Sequence, residues 1–124
     1  MYSIDSVTPT ICSLVGVEPP RDSGASAIDA VLKAADRILR GGKVERTMIY
    51  APDAIGERLY RDYTKLLEGV KKVAPIEVEM KSVLPTYTPV CFSSMFTGAQ
   101  PDVHGIRKYE KPTLSCARSR RGIQ

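Results

Sequence analysis

From Arg46 onward the chain switches repeatedly between two apolar periods, and this restricts its fold more than any other feature. "RTMIYA" reads as a strand from about Arg46 to Ala51 that enters a turn at Pro52. "AIGERLYRDYTKLLEGVKKVA" then carries Ile55, Leu59, Tyr63, Leu66, Val70 and Val73 at steps of three or four. That is the period of an amphipathic helix, stopped by Pro75. "IEVEMKSVL" alternates Ile76, Val78, Met80 and Leu84 against Glu77, Glu79 and Lys81, a strand with one buried face. After Pro85 the helical period returns, with Val90, Cys91, Ser94 and Met95 on one face up to Thr97-Gly98. Two strands joined by a long helical crossover favour a parallel pair, so the expected class is α/β.

Ahead of this core the chain reads as helical. Thr8-Pro9 suits a cap followed by the first helical position, with Ile11, Leu14 and Val15 on one face and Gly16 as the stop. "ASAIDAVLKAADRILRGG" is the clearest helix. Ser26 and Asp29 resemble a capping box, and Ile28, Val31, Leu32, Ala35, Ile38 and Leu39 form the stripe. The expected organisation is a helical extension over 1–42, an α/β portion over 43–116 and a basic tail over 117–124 that frays.

The net charge of +4 at pH 7 owes most to Arg118, Arg120 and Arg121 in that tail. Without them the chain is close to neutral, so no nucleic-acid partner is expected for the body. Cys12, Cys91 and Cys116 are odd in number and too scattered for a metal knuckle, which points to reduced thiols. The first residues have neither a basic leader nor a long apolar run, and no run approaches the roughly 20 residues that span a bilayer. The expectation is a cytoplasmic protein with no membrane partner.

Asp53 and Thr88 both lie just past the end of an expected strand, the edge where open α/β sheets bind ligands. Thr88 precedes Pro89 and so reads as the N-cap of the last helix, whose free amides and dipole favour an anion. A threonine hydroxyl is a poor nucleophile unless a base or cation promotes its deprotonation, and Asp53 can offer a carboxylate to such a cation. On pattern alone the favoured reading is an ordinary cap for Thr88 and an ordinary turn aspartate for Asp53. Thr86 is a competing hydroxyl. His104, the lone histidine, reads as a structural hydrogen-bonder.

"TPVCFSSMFTGAQPDVHGI" resembles the nucleophile segment of the alkaline phosphatase-like superfamily, which includes type I phosphodiesterases, nucleotide pyrophosphatases and sulfatases. The shared pattern is a nucleophile at a helix start, then Thr97-Gly98, Pro101 and His104-Gly105-Ile106. "RTMIYAPDAIG" is similar to the superfamily's strand with a metal-binding aspartate, and Asp53 lies 35 residues before Thr88. The resemblance selects Thr88 over Thr86 as the catalytic position and implies that Asp53 and Thr88 bind metal. A threonine there, with Cys91 three residues further on, implies phosphoryl rather than sulfate-ester chemistry. It also implies a three-layer sandwich with a mostly parallel sheet and a divalent metal pair, usually zinc. The implied activity is hydrolysis of small-molecule phosphate esters through a covalent phosphothreonine.

Superfamily members place most of their metal ligands later in the chain, and "ARSRRGIQ" departs from their usual continuation after a stretch like Lys111 to Cys116. The expectation is an N-terminal portion of a phosphohydrolase, inactive or nearly so by itself. Exposed strand edges would favour self-association. The alternative is a non-catalytic α/β module that binds an anion at the Thr88 helix start.

Overall fold

The computed structural model describes residues 1–109. A short strand β1 (Tyr2–Ser3) leads through a 3-10 turn (Ile4–Ser6) into α1 (Val7–Val15). Helices α2 (Asp29–Leu39) and α3 (Glu57–Asp62) follow, then a 3-10 turn (Thr64–Leu67) and α4 (Glu68–Val73). Strand β2 (Met80–Lys81), α5 (Thr88–Thr97) and α6 (Pro101–His104) complete the order. The basic tail and Cys116 lie outside the described residues.

The α/β character is present in a small form, one parallel pair between β1 and β2 with Tyr2 opposite Met80 and Ser3 opposite Lys81. The pairing corrects the expected one. Residues 46–51 form no ladder, and 45–50 are exposed. An apolar run becomes a strand only when a neighbour takes its N–H and C=O groups. The neighbour that β2 accepts is the chain start, whose own strand no periodicity announced. The layers of a sandwich require more strands than the two found among the described residues.

The long helix expected between Ile55 and Ala74 is broken into three pieces. Tyr63 (φ −121°, ψ 32°) and Leu67 (φ −100°, ψ 4°) leave helical geometry. Leu59, Leu66, Val70 and Val73 remain exposed, so the apolar stripe gains no burial that would hold one straight helix together. Two caps also differ from expectation. The first helix is preceded by Ser6, and Thr8 instead donates its hydroxyl to the Met95 carbonyl at 2.6 Å. The second has Ile28 at its cap; Ser26 makes no box, and the Ile28 N–H donates to Thr10 Oγ1 at 2.9 Å. Gly16 (φ 85°) closes α1 as expected.

The core lies between the first 28 residues and the segment from Val83 to His104. Ile28, Val83, Val90 and Ala99 are its buried apolar side chains, and Asp5, Ser6, Thr10, Ser94 and His104 are buried polar ones. Val90 and Ser94 are the largest side chains wholly out of solvent, both on α5. Beyond α5, Gly98 turns the chain at φ 70° and lies so close to Ser23 and Pro9 that a Cβ would overlap the Ser23 hydroxyl. Its carbonyl accepts the Gly24 N–H at 3.1 Å.

Candidate active site

Helix α5 starts one residue earlier than its proline suggests. Its first backbone bond runs from the Cys91 N–H to the Tyr87 carbonyl at 2.9 Å, so Tyr87 (φ −81°, ψ 143°) is the cap. Thr88 is the first helical residue and Pro89 the second. The correction has a chemical consequence. No side-chain cap bond forms, so the Thr88 hydroxyl is not committed to a helix amide. Pro89 also removes one of the free N–H groups that would hold an anion there.

The hydroxyl instead donates to Asp53 Oδ1 at 3.3 Å, across 35 residues of chain. This is longer than the roughly 2.7–2.8 Å usual for O–H···O, a contact readily exchanged for a ligand. Thr88 is half-buried and Asp53 exposed, so the pair lies at the surface. The same Oδ1 accepts the Ala54 N–H at 2.9 Å. Ala54 holds φ 58°, a left-handed conformation that costs a non-glycine residue about 1–2 kcal/mol. The turn that aims Asp53 is therefore strained, and nothing in the sequence marked it. Thr86 is exposed two residues upstream.

Asp53 and Thr88 offer two hard oxygen donors, the type suited to a small divalent cation. Two donors do not make a site. Among the described residues no group of three or more His, Cys, Asp or Glu is placed to hold a metal ion. An open cleft of about 610 Å³ lies next to the Asp53 turn, lined by Ile55, Gly56, Tyr60, Arg61, Glu77 and Met80 among others, but it includes neither Asp53 nor Thr88.

His104 is buried at the end of α6. Its Nδ1 accepts the Ile106 N–H at 3.1 Å, which leaves the neutral ring's proton on Nε2, 2.9 Å from Ser94 Oγ. The residue joins α6 to α5, in keeping with the structural part expected of it. Cys91, one turn past Thr88, has its Sγ 3.1 Å from Ser82 Oγ.

Residues 50–113 match the sequence model of the type I phosphodiesterase / nucleotide pyrophosphatase family, about half of the chain. The chain belongs to this family. The match contains Asp53, Thr88 and the Thr97-Gly98 to Ile106 stretch, and begins only after α2. Neither the curated proteins nor the solved structures yield a match. Type I phosphodiesterases and nucleotide pyrophosphatases are generally metal-dependent and act on phosphate esters of small molecules. Among the described residues no helix is long and apolar enough to cross a membrane.

Proposed function

We propose that this chain carries the attacking half of a metal-dependent phosphodiesterase, with Thr88 as nucleophile and Asp53 as a metal-ligating carboxylate. The observation that carries this reading is the 3.3 Å contact between Thr88 Oγ1 and Asp53 Oδ1 within a chain that matches the family. A bound divalent cation would lower the pKa of the hydroxyl and neutralise charge on the phosphate. Thr88 Oγ1 would form the new bond to phosphorus as its proton passes to solvent, one ester oxygen would leave with its electron pair and take up a proton, and water would then displace Oγ1 from phosphorus, restoring the hydroxyl and releasing a phosphate monoester. Asp53 holds the hydroxyl proton on its own side, which directs an Oγ1 lone pair away from the carboxylate.

Two donors fall short of the four or more ligands that a zinc or magnesium ion takes. On this reading the described residues supply only these two donors, and the chain alone is inactive or nearly so. Cytoplasmic placement belongs to the same proposal and rests on the odd cysteine count. The anion-only reading is weaker, because Pro89 has no N–H to offer and the Thr88 hydroxyl faces a carboxylate.

Calorimetric titration of the purified chain with zinc, with and without phosphate, tests the assignment. The expected result is weak zinc binding that Asp53→Ala abolishes and Thr88→Ala weakens. Zinc binding that Asp53→Ala leaves unchanged would remove the metal role. Phosphate binding that needs no zinc and survives Asp53→Ala would establish the anion-only module. Robust turnover of bis(p-nitrophenyl) phosphate, lost in Thr88→Ala, would keep the nucleophile and overturn the inactivity.

A further inference from the structure

Residues 1–28 lie outside the stretch that matches the family, yet they bury the helix that carries Thr88. Three hydrogen bonds tie them to the far end of α5 and the turn beyond it. Thr8 Oγ1 donates to the Met95 carbonyl, the Gly24 N–H to the Gly98 carbonyl, and Gln100 Nε2 to Asp5 Oδ2. The last is the unusual one. Asp5 is only 4% exposed, and its second oxygen, Oδ1, has no hydrogen-bond partner. A buried carboxylate with half its acceptors unmet is costly, and an apolar residue of similar volume would commonly serve stability as well or better. What such a group does supply is a directed bond. Gln100 is the cap of α6, and its carbonyl accepts the Val103 and His104 N–H groups at 2.9 and 3.0 Å. His104 in turn meets Ser94 on α5.

We propose that Asp5 is a positioning residue: its bond to Gln100 fixes the register of α6, and through His104 and Ser94 that of α5, so that Thr88 faces Asp53. The functional part of this inference rests on Thr88 being the nucleophile, while the latch itself does not. The N-terminal segment is then part of the reaction site's framework, and its carboxylate trades stability for alignment.

The test compares the intact chain with Asp5→Leu and Asp5→Asn, using readouts that need neither metal nor turnover. In Asp5→Leu the thermal midpoint should hold or rise, while amide exchange over residues 90–98 accelerates about tenfold and the Thr88 methyl resonance moves. The α2 amides of Val31 and Leu32 should keep their rates. Asp5→Asn retains an acceptor oxygen for Gln100 and should restore both the exchange pattern and the Thr88 signal. Should Asp5→Leu fail to fold, Gln100→Ala, at an exposed residue, is expected to give the same localised acceleration. Unchanged exchange over 90–98, a uniform acceleration that includes α2, or no restoration by Asp5→Asn would each overturn the latch. The zinc titration above decides the Thr88 reading separately, so the two ideas fail by different measurements.

Discussion

The segment from 43 to 80 and the block formed by residues 1–28 with 83–106 obey different physics. The block buries Ile28, Val83, Val90 and Ala99 and fastens them with hydrogen bonds between residues far apart in sequence. Between 43 and 80 no residue is buried, and Met48, Tyr50, Leu66 and Val73 stand well out in solvent. The segment is also the more strongly periodic of the two. Apolar periodicity thus states what a segment offers to a partner, and the partner decides whether that offer becomes structure. The candidate site spans this divide, with Thr88 from the packed block and Asp53 from the exposed segment.

The sharpest test of that contrast is a charge placed in each region. Val90→Asp sets a carboxylate in the fully buried centre of α5 and should cost about 4 kcal/mol or abolish folding. Met48→Asp, at a residue 85% exposed, should stay within about 0.5 kcal/mol in the same urea titration. Equal losses would mean that the exposed segment packs as tightly as the block.

A middle-sized effect is expected where α5 meets α6. Ser94→Ala removes the buried hydrogen bond between Ser94 Oγ and His104 Nε2 and should cost about 1 kcal/mol. A midpoint equal to wild type would show that the junction does not depend on this bond.

At the Asp53 turn the sign reverses. Ala54→Gly relieves a left-handed residue, and after the added freedom of the unfolded chain it should raise stability by up to about 1 kcal/mol. Thermal unfolding reads the gain, and a loss would show that Ala54 is not strained.

The smallest effect concerns Glu77 and Lys71, 3.1 Å apart on the exposed segment. Hydrogen bonding with Tyr60 first, and with Lys71 second, lowers the Glu77 carboxyl pKa. Tyr60 first and Glu77 second raise that of Lys71. The Glu77 contribution is therefore present above the ordinary carboxylate pKa and is lost as pH falls through the lowered folded value. That of Lys71 is present below the ordinary lysine pKa and is lost as pH rises through the raised one. Glu77 is exposed and Lys71 half-buried, so solvent screens the pair and Glu77→Gln should leave the midpoint at neutral pH nearly unmoved. A clear shift in the thermal unfolding curve would show that this pair braces α4.

Much of α1, α2 and α5 was readable because their stops are local: Gly16 and Gly98 close α1 and α5 in the left-handed region, while α2 ends at Leu39 with Arg40 (φ 49°) taking that conformation just before the glycines. Asp53 and Thr88 were singled out by their places after expected strands and by the family resemblance, and their oxygens lie 3.3 Å apart. The caps were not, because Thr8, Ser26 and Thr88 had tertiary or alternative conformations open to them that local patterns do not record. Nor was β1, a two-residue strand that exists only because β2 has an open edge. Asp5 carries no signal at all, since a buried carboxylate and a surface one are spelled alike.

The bond from Thr88 to Asp53 closes a loop of 35 residues, most of them without a packed partner. Closing such a loop carries an entropic cost each time it occurs. Anything that binds both oxygens must therefore also hold the segment from 43 to 80 in place, and its apparent affinity is the intrinsic one scaled by the fraction of molecules already closed. Substitutions in α3 or α4, far from either oxygen, would then tune binding at the site without touching it.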